Sequence, residues 1–418
     1  MMNILFVVPY VPNLIRSRSY NIIRKLVEHG NQVHLITLWS NDEERRDAEE
    51  LKQYCGSVQA FSMPAWRSLV NSLIALPTSQ PLQAWYSWNP QMARQIIATI
   101  QKEKIDVVHV EHLRGSKYAL SLRSWWPGDG GSGKPCPPIV WDSVDCISYL
   151  FRQSSVQSRR QAYRWITQLE LKRTEKFEAD LTRQFPVILV TSQKDQNALL
   201  SLKGATTKAA KLRVFPIGVD LDYFRPDPQQ KRESSTLLVS GKMSYHANVS
   251  MVIHLFEQIM PRIWSKHPEV KLWIVGKDPT QEIKDMAAHP NVKVTGMVPD
   301  LRPYMQRATV AVAPLTYGAG MQFKVIESMA CATPVVATPL AVSALTGVVH
   351  DQDVLVAQEP DDFADQAIRL LDNAHLRQAV GESGRRYVER HFSWDRLVTQ
   401  LEEVYHGVIE INGTALQG

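Results

Sequence analysis

At 418 residues the chain is long for one domain, and two α/β domains are the natural expectation. An apolar fraction of 44% and a charged fraction of 21% are ordinary for a soluble globular protein. The net charge of +5 and the pI near 8.9 suit an anionic ligand or a membrane surface, and they are too mild to argue for nucleic acid.

In chain order, the opening "MMNILFVVPYVPNLIRSRS" has a short apolar run, no basic residue before it, and Pro9 and Pro12 cutting it. It reads as a first strand entering a loop rather than a signal peptide. The runs "NILFVVPY", "QVHLITLW", "VQAFSMP", "IDVVHVE", "PIVWDSV" and "VILVTS" are typical of buried parallel strands. Helical patterns such as "SYNIIRKLVEHG", closed by Gly30, lie between them. The turn-rich "PGDGGSGKPCPP" reads as a surface loop inside this first domain, and "PIGVDLDYFRPDPQQKRESS" as a linker over 216–235. A second series follows, "STLLVSG", "VKLWIVGK", "VKVTGM", "VAVAPL", "PVVAT" and "DVLVA". Repeated βα units imply parallel sheets with helices on both faces. The domains are therefore 1–215 and 236–392, with the helical tail 393–418 expected to pack back toward the N-terminal domain. No apolar run nears the roughly 18 residues of a membrane span. Cys55, Cys136, Cys146 and Cys331 show neither metal-ligand spacing nor a disulfide framework and read as reduced thiols.

The stretch "GAGMQFKVIESMACATPVVAT", Gly318 to Thr338, follows "VAVAPL" and reads as a glycine-rich loop, a short helix and a strand. Loops at the carboxyl ends of parallel strands are where open α/β sheets bind ligands. With a helix starting near Gln322, residues Phe323, Ile326, Glu327 and Ala330 share one stripe, which puts Glu327 on the apolar face. A carboxylate there needs hydrogen-bond donors, and ribose hydroxyls would serve. Lys324 falls in the first turn, where the helix dipole disfavours a cation by about 0.3–1 kcal/mol. A diphosphate docked on the amides of Gly318 to Gly320 would offset that. The alternative is a local Lys324–Glu327 pair at i, i+3.

The run G-A-G-x-x-x-K-V-I-E-S-M-A-x-A-T-P-V-V-A-T resembles the nucleotide-sugar site of the retaining GT-B glycosyltransferases, family four in the usual grouping, also called glycosyl transferases group 1. Other segments fit in the same order. "VFPIGVDLDYFRP" resembles the family's interdomain P-N-G-V-D-x-x-x-F, with Ile217 where asparagine is usual. "VSGKMSYHANV", "HPEVKLWIVGKDP" and "VKVTGMVPDLRPYMQRATVAVAPL" resemble the segments that lead to the donor site. The resemblance implies an α/β GT-B architecture, two Rossmann-like domains facing an interdomain cleft, with the acceptor on the N-terminal side and the donor on the C-terminal side. It implies that Glu327 binds the ribose of a nucleoside-diphosphate sugar, that Gly318, Ala319, Gly320, Met321 and Gln322 line the diphosphate and sugar, and that Lys242 is a phosphate-binding residue. The first loop, "NILFVVPY" into "NLIRSRS", would close over the donor. No cofactor and no bound metal are expected.

Two positions depart from the family pattern. Ala319 stands where a second glutamate, eight residues before Glu327, commonly contacts the sugar, and Ala247 stands where a second basic phosphate ligand is usual. Lys324 is expected to supply part of that missing charge. Family members often place a histidine near "DVVHVEHLRG". His112 is the candidate, with an ordinary surface histidine as the alternative, and His109 reads as a packed strand residue. Strand alternation points His112 away from His109 and Glu111, against a metal site. Asp142 and Asp145 orient an acceptor or cap the following helix, the cap being the favoured reading. "SLVNSLIALPTSQPLQAWYSWNP" reads as a flap over an acceptor groove. "RQSSVQSRRQAYRWITQLELKRTEKFEADLTRQF" reads as a solvated helix or as a basic face resting on anionic lipid.

The implied activity is hexosyl transfer to a sugar, glycolipid or other hydroxyl acceptor, with retention, in glycan, polysaccharide or glycolipid biosynthesis. Loop amides, a helix N-terminus, Lys242 and Lys324 would stabilise the departing diphosphate. No dedicated nucleophile is needed in the family's usual front-face mechanism, and domain closure would exclude water. The rivals are a GT-B sugar-nucleotide epimerase and a non-catalytic nucleotide-sugar-binding protein. A dehydrogenase is disfavoured, since "PYVPNLIR" stands where G-x-G-x-x-G would follow the first strand. The expected location is the cytoplasm, with peripheral contact at the inner face of a membrane and no nucleic-acid partner.

Overall fold

Short apolar runs buried on both faces can be satisfied only inside a sheet that helices cover above and below. The structure, a computed structural model, describes residues 1–13, 16–126, 135–157, 161–208, 211–318 and 320–414, excluding the side chains of 153–169 and 414. The chain divides into two compact units, Met1–Ile217 with Leu397–Gly418, and Gly218–Arg396.

The first unit holds β1 (Asn3–Val8), β2 (Gln32–Trp39), β3 (Ser57–Ser62), β4 (Val107–Glu111), β5 (Ile139–Val144), β6 (Val187–Val190) and β7 (Leu212–Val214). Among the described residues these form a seven-stranded parallel sheet in the order β3-β2-β1-β4-β5-β6-β7. β1 is an interior strand, with Ile4 opposite Val33 on one side and Val107 on the other. One face of the sheet packs Leu5, Val7, Val108, Trp141 and Ile188 against Tyr118 of the helix His112–Trp125 and against Phe185, the residue after the helix Gln161–Gln184. The sequence reading missed β7. Only Leu212 of this edge strand is buried, so it carries no apolar run to reveal it. The segment 127–134, within the loop read from "PGDGGSGKPCPP", lies outside the described residues.

The second unit holds β8 (Thr236–Ser240), β9 (Lys271–Val275), β10 (Val292–Val294), β11 (Val310–Ala313), β12 (Val335–Ala337) and β13 (Leu355–Val356), ordered β10-β9-β8-β11-β12-β13 and again parallel. Its core gathers Leu237, Val239, Ile274, Val312, Ile326 and Val336 with Phe363 and Tyr387 from the helices that follow. The loops leaving β8 and β9 meet backbone to backbone. A Cβ built on Gly276, whose φ is +150°, would stand 1.7 Å from the Gly241 carbonyl oxygen.

The last helix, Trp394–Thr414, belongs to the first unit from Leu397 onward. Its buried Tyr405 hydroxyl lies 2.8 Å from His109 Nδ1 in β4. Glu402 accepts from Asn31 Nδ2 at 2.5 Å and pairs with His29 Nδ1 at 2.9 Å.

Substituting Gly276→Ala is expected to destabilise the second unit by about 2–4 kcal/mol, because both the left-handed backbone and the Gly241 carbonyl resist a methyl group. A urea midpoint unchanged from wild type would show that the two loops have room to part.

Candidate active site

In the second unit β8 lies between β9 and β11, so the chain leaves β8 and β11 in opposite directions. Ligands of open parallel sheets bind beyond the carboxyl ends of strands at such a reversal. The two loops there are laced together. His246 stacks on Tyr317 with ring centroids 5.4 Å apart, its Nδ1 is 3.0 Å from the tyrosine hydroxyl, and Ser250 Oγ is 3.2 Å from Thr316 Oγ1. The carbonyl of Lys242 accepts from Asn248 Nδ2 at 3.0 Å and from Tyr245 N at 3.1 Å. Its backbone is thus fixed while its ammonium is exposed, with no ion pair among the described residues.

Ala247, by contrast, is buried, and its Cβ would touch a Cβ built on Gly318 at 3.6 Å. The position that commonly holds a second cation therefore lies directly against the glycine loop. Gly320 has φ +79° and open space around its Cβ position, so backbone conformation, not crowding, calls for glycine there. Ala319 lies outside the described residues. Met321 and Gln322 are half-buried and lead into the helix Phe323–Ala330. Gln322 occupies the cap position without capping, since its Oε1 accepts instead from Lys324 Nζ at 2.9 Å.

The helix itself corrects one expectation. Its buried face is Val325, Ile326, Ser328, Met329 and Ala330, while Phe323 is 37% exposed and Glu327 is half-buried at the margin. The stripe is rotated because Val325 and Met329 pack into the core of the unit. Glu327 is nonetheless strongly desolvated, which pushes its carboxyl up to about 7 against the pull of Lys324. Burial likewise brings the Lys324 ammonium down to about 8, with Glu327 opposing. The two influence each other, yet no ion pair joins them, and no hydrogen bond reaches the Glu327 carboxylate among the described residues. The local-pair alternative is thereby set aside.

In the first unit the reversal falls between β1 and β4. His112 stands at the end of β4 as the first residue of the helix His112–Trp125, with φ +66°. A left-handed histidine is uncommon, and such strain clusters at functional positions. Its Nδ1 accepts from Arg114 N at 3.2 Å, so the neutral ring carries its proton on Nε2. Burial, aided by the Arg114 charge, pulls its pKa to about 4. His112 is therefore a neutral donor through Nε2–H rather than a cation.

Behind it lies a buried network that sequence reasoning did not assemble. Arg18 donates to both oxygens of Asp142 at 2.8–3.2 Å and to the carbonyl of Phe215 at 2.9 Å. Glu111 accepts from Tyr10 Oη at 2.6 Å and from Ser19 Oγ. His109 is fully buried, stacked on Phe6 at 4.4 Å with its Nε2 3.5 Å from Asp142 Oδ2. Asp142 and Asp145 do not cap the helix Ile147–Gln157, contrary to the favoured reading. Glu178, from the helix Gln161–Gln184, accepts from Ile147 N at 2.8 Å and Ser148 N at 3.1 Å, and Asp195 takes Cys146 N at 3.0 Å. Asp142 is held away by Arg18, and Asp145 accepts from Thr191 at 3.3 Å. These partners are 30 to 197 positions apart in the chain, so no local motif announces them.

The Trp-rich stretch forms two helices, Ala65–Ala75 and Leu82–Tyr86. The basic stretch forms Ile147–Gln157 and Gln161–Gln184, and residues 158–160 with the side chains of 153–169 lie outside the described part.

Two family models match the chain, Glycosyltransferase Family 4 over residues 17–223 and Glycosyl transferases group 1 over residues 234–373. A phosphatidyl-myo-inositol mannosyltransferase of Mycobacterium tuberculosis is 30% identical over 210 residues, covering 46% of this chain and 53% of the relative. A GDP-mannose-dependent alpha-(1-6)-phosphatidylinositol monomannoside mannosyltransferase of the same species is 30% identical over 219 residues, covering 48% and 57%. The chain thus matches about half the length of these curated relatives. Among solved structures, sucrose-phosphate synthase from Thermosynechococcus elongatus superposes with a TM-score of 0.69 at 16% identity, covering 98% of this chain and 100% of that one. Anabaena Alr3699/HepE, solved with UDP and glucose, gives a TM-score of 0.64 at 14% identity, covering 97% and 100%.

Folding raises the Glu327 pKa from 4.5 to about 7, so its protonated form favours the fold and that stability is lost as pH rises through this window. Replacing Glu327→Gln should leave stability near wild type around pH 4.5 and add about 1–3 kcal/mol above pH 7. Urea titrations across this range check it, and a constant difference at every pH would mean that the carboxylate sits in water.

Proposed function

The chain belongs to the family 4 glycosyltransferases, with the α/β GT-B architecture, and we propose that it transfers a hexosyl unit from a nucleoside-diphosphate sugar to a hydroxyl acceptor. The observation that carries this is Glu327, a desolvated carboxylate without a partner among the described residues, set behind a glycine loop at a sheet reversal. Left unpaired, such a group costs stability. Vicinal ribose hydroxyls are neutral paired donors that relieve the cost without needing a buried counter-ion. Lys242, exposed and without an ion pair among the described residues, and Lys324, at the first helical turn, are the cations available to a diphosphate beside the amides of Gly318 to Gly320.

In this reading the departing diphosphate gains charge in the transition state, and the fixed amides and two ammonium groups stabilise it most at that moment. His112, in the first unit, offers Nε2–H to a sugar or acceptor oxygen. It does not serve as a general base near neutral pH through Nδ1, which the Arg114 amide occupies. Retention of anomeric configuration is part of the proposal and follows the family's front-face route. The mannosyltransferases among the relatives, one of them GDP-mannose-dependent, make GDP-mannose the first donor to try and a glycolipid the first acceptor class.

The test is a thermal-shift panel of UDP, GDP, ADP and dTDP on wild type and Glu327→Ala, followed by transfer assays with anomeric analysis of the product. A nucleotide at 100 times its dissociation constant should stabilise wild type by about 2.7 kcal/mol and the variant far less. Lys324→Ala should lower kcat/KM by about a hundredfold. Binding without transfer or hydrolysis would favour a nucleotide-sugar-binding protein, and an isomerised donor without acceptor would favour an epimerase. No response from a folded sample would defeat the proposal.

A further inference from the structure

The helix Ala65–Ala75 is built inside out. Its inward residues are Ser68, Asn71 and Ala75, with Asn71 Nδ2 donating to the Trp88 carbonyl at 2.9 Å. Its large apolar residues point outward at i, i+3, i+4, i+7 and i+8: Trp66, Leu69, Val70, Leu73 and Ile74, with Trp66, Leu69 and Leu73 each at least 63% exposed. A water-facing helix normally shows the opposite arrangement, and an apolar stripe of this extent marks a contact with a second apolar phase. This helix packs on Leu82–Tyr86, which packs on the helix opened by His112, so the three share one side of the first unit. Tyr86 and Trp125 are also exposed there.

The charges on these helices are all of one sign. From Leu51 to Lys102, and again from His112 to Trp126, the chain has no Asp or Glu. Arg114 rests over the Tyr86 ring at 4.8 Å, and its Nε is enclosed without a hydrogen-bond partner among the described residues. Lys117, one turn along, lies 3.4 Å from the Trp85 ring centroid and 5.0 Å from that of Trp88. Neither has a carboxylate partner among the described residues, although both are partly desolvated. Desolvated cations on an aromatic platform, beside an outward apolar stripe, complement a phosphate that is itself attached to an apolar body.

We infer that Arg114 and Lys117 seat the phosphate headgroup of an anionic membrane lipid, while the outward stripe from Trp66 to Ile74 beds in the same bilayer. The inference deepens the transfer reading, on which it rests for the lipid's role as acceptor, since Arg114 lies two residues from His112. No helix among the described residues is long and apolar enough to cross a membrane, so the attachment is interfacial.

The experiment uses the full chain and vesicles of phosphatidylcholine, either alone or with about 30% phosphatidylglycerol, sedimented with no nucleotide present. Wild type should partition onto the anionic vesicles about tenfold or more tightly than onto the neutral ones. The Leu69→Ser/Leu73→Ser double variant should lose binding to both, and these surface positions leave the fold intact. Arg114→Gln/Lys117→Gln should keep weak binding and lose the anionic preference. Circular dichroism and the nucleotide thermal shift should be unchanged in both variants. Equal partition onto both vesicles overturns the headgroup seat. Absence of binding by a folded chain overturns the whole inference, as does stabilisation by glycerol phosphate without vesicle binding, which would point to a soluble acceptor. Because no donor is present, such a failure leaves the nucleotide-binding reading standing.

Discussion

Every strand pair in both sheets is parallel, so each connection must cross back over a face of the sheet before the next strand begins. That constraint organises the molecule. It sends one set of loops to the carboxyl ends of the strands and the other set to the opposite edge. Among the described strands, only at β1–β4 and at β8–β11 do neighbours dismiss the chain in opposite directions, leaving room between the loops. His112 and the Gly318–Gln322 loop stand at these two places because of strand order, before any chemistry is considered.

Buried charge then separates scaffold from site. In the first unit Arg18, Asp142, Glu111 and Glu178 are deeply buried, and each is answered by charged, hydroxyl or amide groups at hydrogen-bond distance. Removing one member of such a network is costly, yet a fully answered network has little left to offer a ligand. Glu327 is the opposite case, since no hydrogen bond or ion pair in its own unit answers its carboxylate among the described residues. The same contrast holds between the cations, with Arg18 fully engaged and Arg114 enclosed without an acceptor for its Nε among the described residues. Residues with unmet demand, more than residues with charge, carry the contacts proposed above.

Strand runs such as "NILFVVPY" and "VAVAPL" were legible because continuous apolarity over five or six residues fits only a doubly covered strand. The glycine loop and the helix after it were legible because Gly318, Gly320, Lys324 and Glu327 keep fixed local spacing. What escaped had no local signature. Arg18 meets Asp142 only through the fold, and Glu178 caps a helix 31 positions away. The rotation that exposes Phe323 depends on which side of a short helix the core happens to fill. The reversed helix at Ala65 escaped for a plainer reason: periodicity would report only that a helix has an apolar face, and it is silent on which way that face looks.

The last helix carries a consequence for how the protein is made. The second unit, Gly218–Arg396, is one uninterrupted piece of chain, whereas the first unit includes Leu397 onward. A ribosome therefore completes the second unit while the first still lacks Tyr405, whose hydroxyl meets His109 in the middle of the first sheet. Until those final turns emerge, a buried imidazole at the centre of β4 faces an unfilled place. Of these two units, the one whose chain begins earlier is therefore the one completed later.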